Sequence, residues 1–265
     1  PKIRLVGGED LHYLNADAGS GLEGMDGRDP VSCRNVWAGI DYQAFPSLDL
    51  TARAGGAEAG VIVDGDDDLF AYRLGANYRP VDAVTLMFAN GRDFYAVSPR
   101  AVSLGVYKES SSLRMLWTPD LYYTVDIRGT RDTYSDRNRG WEAALAPRRS
   151  VIRSQRLNLD CGAHLWWLGF EDQPGNGYYS PVLYQRYALK ADGYWKINDN
   201  NGISLVFTAG NQRDNTSSRF DFGTSGDIEG QFGLYRDWML RVHFGYTHNV
   251  NSRIGTSMRA FTEYV

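Results

Sequence analysis

No run of 20 apolar residues occurs in this chain, which excludes membrane-spanning helices and nothing more. A transmembrane strand needs only about 9 to 11 residues, half of them polar, so a β-barrel reads as hydrophilic in any hydropathy window. Cysteine is scarce: Cys33 and Cys161 form neither a disulfide framework nor a metal cluster. Cys161 falls on the apolar side of its segment, where a small buried or lipid-facing residue is the simplest reading, and a Cys33–Cys161 bridge is the lesser alternative. Basic excess is lacking as well. Twenty-eight Lys and Arg against 32 Asp and Glu leave a net charge of −4, with no basic footprint for nucleic acid. Four histidines (His12, His164, His243, His248) show no H-E-x-x-H spacing and no companion cysteines, which argues against zinc. The opening PKIRLVGGED has neither a basic nor an apolar leader region, so any signal peptide is expected to lie outside these residues.

Aromatics and glycine are plentiful. Seventeen Tyr, 11 Phe and seven Trp, with 29 Gly against nine Pro, suit an all-β chain with many tight bends. The stretch LYYTVDIRGT (121–130) places Leu121, Tyr123, Val125, Ile127 and Gly129 on one side and Tyr122, Thr124, Asp126, Arg128 and Thr130 on the other. The same parity returns in LFAYRLGANYRP (69–80), YALKADGYWK (187–196) and LRVHFGYTHN (240–249), and near 2–15, 33–44, 48–60, 83–92, 111–118, 138–147, 156–170, 201–213, 226–236 and 252–264. About 14 strands result, with 16 the alternative.

Connections alternate in length. Short ones are expected at 45–49, 79–83, 118–122, 198–202 and 235–239, and long polar ones at 16–32, 63–69, 93–110, 132–140, 171–183 and 212–226. Short turns at one end and long loops at the other suit an outer-membrane barrel. Two segments break the alternation: 146–155 is long and basic where a short turn belongs, and 97–111 is expected to hold an extra strand pair or a loop folded inward.

The polar parity collects Asp41, Asp49, Arg53, Arg73, Arg79, Asp126, Arg128, Asp160, Lys190, Asp192, Glu229, Arg241, Arg259 and Glu263. A dry core cannot hold that many charges at several kcal/mol each. A solvated lumen can, and the chain offers no amphipathic helices to act as a covering layer for a soluble sheet. Tyr42, Phe70, Tyr78, Trp195, Trp238 and Tyr246 lie on the apolar parity near strand ends, as interfacial girdles require. Within the lumen Trp37, Trp166, Tyr194 and Tyr235 are candidate stacking faces for sugar rings, among the charges of Asp41, Arg73, Asp126, Arg128, Asp160, Lys190, Asp192, Glu229 and Arg241.

Other motifs lack their context. GSGLEG (19–24) matches G-x-G-x-x-G, but MDGRDP follows and cannot open a helix. VDGDDD (63–68) makes Asp64, Asp66 and Asp68 a weak calcium candidate, against the plainer reading of a solvated loop tip. NTS at 215–217 is a glycosylation sequon only in a eukaryotic secretory setting. No G-x-S-x-G elbow or kinase signature is present, and nothing in the residues favours an enzyme.

The segment GYYSPVLYQRYALKADGYWKINDNNGISLVFTAGNQRD (177–214), followed by FGLYRDWMLRVHFGYTHN (232–249), resembles the C-terminal porin domains of tetratricopeptide-repeat outer-membrane proteins. Those are relatives of the cellulose and poly-N-acetylglucosamine export porins. The resemblance runs over about residues 70–265, and these 265 residues contain no helical repeat of their own. It implies a barrel carrying a polysaccharide out of the periplasm, with periplasmic helical repeats handing it over.

Residues and resemblance together lead to one expectation: an all-β, antiparallel up-and-down transmembrane barrel, one domain over 1–265, in the bacterial outer membrane. Its expected work is passage or export of a carbohydrate polymer, with lipid and polysaccharide as partners and no cofactor. The second reading is a plugged structural or receptor barrel whose long loops bind an envelope or extracellular protein. A soluble β-protein is third.

Overall fold

A computed structural model describes residues 2–14, 31–61, 65–215, 217–233, 238–248 and 254–264. Fourteen strands follow one another: β1 (Lys2–Leu14), β2 (Val31–Phe45), β3 (Leu48–Val61), β4 (Gly65–Val81), β5 (Val84–Phe94), β6 (Tyr107–Trp117), β7 (Tyr123–Tyr134), β8 (Arg139–Arg153), β9 (Leu157–Phe170), β10 (Tyr184–Asn198), β11 (Asn201–Arg213), β12 (Asp221–Phe232), β13 (Trp238–His248) and β14 (Ile254–Tyr264). Each pairs with its neighbours in sequence, in a meander without crossover. One short helix, α1 (Pro99–Ser103), lies between β5 and β6, with the Ser98 hydroxyl accepting from the Ala101 N–H at its start.

The chain packs as two compact units. The first comprises residues 1–115, 128–142 and 168–182, and the second residues 116–127, 143–167 and 183–265. Within each, the period-two alternation divides apolar from polar side chains. On β4 Phe70, Leu74 and Tyr78 are exposed, and on β10 Leu189, Trp195 and Tyr187 are too; Leu189 has 75% of its surface free. A water-soluble sheet would cover such residues. Here Ile3, Leu5, Val36, Ile40 and Phe88 in the first unit, and Leu205, Phe207, Phe222, Ile228 and Phe244 in the second, are exposed as well. The girdle candidates Phe70, Tyr78, Trp195 and Tyr246 lie on this exposed face, Tyr42 is half-buried, and the side chain of Trp238 lies outside the described ones.

Short turns close with local hydrogen bonds. Pairs Phe45↔Leu48, Val81↔Val84 and Asn198↔Asn201 bracket two-residue connections. At 118–122 the Asp120 carboxylate accepts from the N–H groups of Tyr122 and Tyr123, and at 154–156 the Ser154 hydroxyl accepts from the Leu157 N–H. That second turn corrects the expected break at 146–155. Strand β8 simply runs on to Arg153, and a three-residue turn follows, so the alternation of connections is kept.

Three more boundaries differ from expectation. Residues 65–69 and most of 132–140 are strand rather than loop, because polar ladders extend past the apolar band at no desolvation cost. Asp66 and Asp68 therefore belong to β4 rather than to a loop tip, while Asp64 lies outside the described residues. The segment 97–111 holds no extra strand pair. It carries α1 inward, and β6 begins at Tyr107. Cys33 and Cys161 are both free thiols, which settles against the bridge.

Arginine on the exposed apolar face should be far more damaging than on the polar one. Val125→Arg is expected to lower folding yield into liposomes, at a cost of about 2–4 kcal/mol near the bilayer midplane, whereas Thr124→Arg should fold as wild type. Heat-modifiable gel migration reads the difference, and equal yields would contradict the assignment of faces.

Candidate functional site: the polar face

In the second unit, alternate residues of β10 project Tyr184, Arg186, Lys190, Asp192 and Tyr194 to the polar face. Asp192 accepts from Arg148 at 3.1 Å and pairs with Lys190 at 3.0 Å, with each of these side chains about a fifth exposed. Asp160 lines a cavity of about 260 Å³ with Arg148, Arg153, Ser150 and Thr124. Arg186, buried, donates to the Thr208 hydroxyl at 2.5 Å and to Ser225 at 3.5 Å. Glu229 accepts from Gln231, and beside it His243 meets Asp227 at 3.1 Å. Asp126 is half-buried on the same parity. Of these, Asp192 with Arg148 and Lys190 forms a partly exposed ion-pair group, worth little as stability and more as an ordered, charged surface.

The aromatics named from sequence serve the wall as well as its surface. Trp166 packs edge-on to Tyr184 with centroids 5.0 Å apart, and Tyr184 donates to Gln212. The Tyr194 ring lies where a side chain on Gly202 would stand, its hydroxyl only 2.4 Å from an added Cβ there, so the glycine makes room for it. In the first unit Trp37 carries the Arg53 guanidinium 4.6 Å from its ring centroid. Asp41 accepts from Arg4 at 2.6 Å, Arg128 approaches Glu142 at 3.9 Å, and Arg73 is exposed. Tyr235 lies outside the described residues, as does the side chain of Arg241, whose backbone pairs with Gln231. Among the described residues no cluster of three His, Cys, Asp or Glu stands ready for a metal ion.

At the long-connection end of the first unit, the polar connections 132–140 and 171–183 lock together with 95–106, part of the segment for which an inward fold was one expectation. Tyr95, Tyr134, Phe170 and Tyr178 form one aromatic cluster with Ala101 and Val106, and Tyr134 stacks on Tyr178 at 4.9 Å. Asn138 is 1% exposed; it donates to the Tyr178 hydroxyl and the Asp172 carbonyl, and accepts from the N–H groups of Asp172 and Arg139. Tyr178 in turn donates to Asp136 at 2.8 Å, and Asn176 donates to the same oxygen. The Ser98 hydroxyl donates to the Gly177 carbonyl. Gly177 is at φ +84°, and a Cβ there would stand 2.7 Å from the Ala101 nitrogen, so both conformation and clearance demand glycine. Val102 of α1 packs on Cys33 of β2, which seats the helix against the polar face of the first unit. No alternation signal marks these residues, because most of these bonds join segments remote in sequence.

Comparison with solved structures follows this geometry. A structure titled a bacterial polysaccharide outer membrane secretin matches with a TM-score of 0.69 at 16% identity, covering 89% of this chain and 82% of that one. The outer membrane channel DcaP of Acinetobacter baumannii (TM-score 0.47, 10% identity, 98% and 97% covered) is also similar, as is the translocator domain of the autotransporter NalP from Neisseria meningitidis (0.32, 11%, 99% and 88%). No protein-family profile and no curated protein matches the sequence. The fold is the antiparallel up-and-down meander of such outer-membrane β-barrels, and the exposed apolar face matches the one a barrel of this fold turns to lipid.

Burial raises the ionisation of the Tyr95 and Tyr178 phenols above the ordinary tyrosine range, Asp132 adding to it for Tyr95 and Asp136 for Tyr178, against partial relief from Tyr134 and Asn138 respectively. Their neutral forms are favoured in the fold, so their stabilisation is full below the unfolded tyrosine pKa of about 10 and is lost as pH rises through the folded values. Loop locking should therefore weaken only in strong alkali. Asn138→Ala should cost about 1–3 kcal/mol by stranding its buried partners, and should expose the Tyr178–Tyr179 segment to chymotrypsin at neutral pH. Unchanged cleavage would show that Asn138 does not hold the loops.

Proposed function

We propose that this chain is a non-enzymatic outer-membrane channel, acting as a single barrel through which a carbohydrate polymer passes. One observation carries the reading: an exposed apolar face backs a polar face rich in partly wet, mutually paired charges, such as Arg148, Asp192 and Lys190. A path lined with many shallow polar contacts lets a polymer advance, whereas one deep site would trap it. The polysaccharide secretin with a similar fold supports the cargo class, and the resemblance of 177–249 to porin domains of tetratricopeptide-repeat proteins makes a periplasmic helical-repeat protein the partner we propose for delivery.

A second reading, a structural or receptor barrel with an occupied lumen, is favoured by the inward seating of 95–106 and its lock to 171–183. Planar-bilayer recording separates the two. The channel reading expects stepwise conductance, rising when residues 95–106 are replaced by a short Gly-Ser link. Silence in both forms would favour the occupied barrel.

A further inference from the structure

In the first unit, register brings together two like charges that the alternation alone does not align. Arg53 of β3 stands directly opposite Arg73 of β4, on the polar face. Directly opposed like charges repel, and each guanidinium needs a counter-charge or water. Neither arginine has an ion-pair partner among the described residues, and the Arg53 Nε is buried without a hydrogen bond. The other charges on the lining are held in place: Arg92 lies over the Tyr107 ring at 4.3 Å, and Asp93 keeps its negative charge while accepting from neutral donors. Asp93 receives both carboxylate contacts from Asn35 at 2.9 Å and a further bond from the Phe94 N–H, while Lys108 pairs with Asp132 at 3.2 Å.

Space is provided in front of the pair. Glycines flank the two arginines across four strands, in the row Gly39, Arg53, Arg73, Gly91. A Cβ on Gly39 would stand 2.8 Å from the Arg53 Cγ, and one on Gly91 3.5 Å from the Arg73 Cα. In the adjacent row Trp37 faces Gly55, which faces Ala71. These small residues leave a cavity of about 460 Å³ lined by Arg53, Arg73, Trp37, Asn35, Asp93 and Lys108. Its volume is in the range that encloses a small ligand such as one or two sugar rings. Arg53 is held over the Trp37 ring, a planar cation braced on an aromatic wall, and Arg73, its partner in register, lines the same cavity.

We propose that the Arg53–Arg73 pair is a subsite for an acidic sugar, its two guanidiniums taking the carboxylate of a uronic-acid residue while Asn35 and the Trp37 edge meet the ring. This deepens the channel reading above and rests on it: the polymer that passes is anionic. The paired guanidiniums suit a carboxylate or another oxyanion of similar size, because forked donors favour such planar anions.

The test uses the full chain folded in detergent, with trigalacturonate, maltotriose and inorganic phosphate as probes in isothermal titration calorimetry, and with the reversal potential across a bilayer as a second readout. Trigalacturonate should bind and maltotriose should not. Arg73→Gln and Arg53→Gln should each weaken trigalacturonate binding about tenfold or more, the loss expected for one charge-assisted contact. Wild type should select anions, and the double variant should shift toward cations. Arg73 is exposed, so Arg73→Gln keeps the test valid should Arg53→Gln fail to show heat-modifiable migration. Equal binding of maltotriose, or binding unchanged in Arg73→Gln, would overturn the proposal. Phosphate binding as tight as trigalacturonate would overturn the sugar assignment. A conducting wild-type barrel with no trigalacturonate binding refutes the subsite alone, and a silent wild-type barrel refutes the channel reading beneath it.

Discussion

Everything in this structure follows from the need to satisfy backbone hydrogen bonds where water is absent. A strand crossing hydrocarbon can bond its N–H and C=O groups only to neighbouring strands, so the chain meanders with each strand beside the next. Once strands are fixed, period two divides every segment into an apolar and a polar half. Leu189 and Trp195 then stand open, while on the opposite parity Asp192 is tied to both Lys190 and Arg148. In water the first pair would be a liability of about 1.5–3 kcal/mol each. In lipid they are the solvent-matched surface.

The two ends of the strands obey different rules. Turns at one end are as short as geometry permits and are closed by a single local side chain, Asp120 or Ser154. At the other end, the first unit gathers 95–106, 135–138 and 171–183 into an aromatic cluster secured by buried Asn138. That buried apolar area and those satisfied polar groups distinguish a packed loop cluster from loose surface loops.

Strand number and facing were legible because period two is a local property. Parity groups Asp126, Arg128, Asp160, Lys190, Tyr194 and Glu229 apart from the apolar positions, and all six fall within strands. Strand ends were not legible at 65–69, 132–140 and 146–155, because beyond the apolar band polarity no longer distinguishes a ladder from a loop. The opposition of Arg53 and Arg73 was hidden for another reason. Register is a relation between two strands, and neither strand's residues alone encode it. The Asn138 network was hidden likewise, joining segments 34 to 40 residues apart.

The central claim is that the exposed apolar face meets lipid and the polar face meets water. Two single-tryptophan variants, retaining Trp195 on the apolar face or Trp166 on the polar face with the other six replaced by Phe, measure it directly in liposomes. Brominated acyl chains should quench Trp195 strongly and leave Trp166 bright. Quenching of both alike, or of Trp166 alone, would contradict the account.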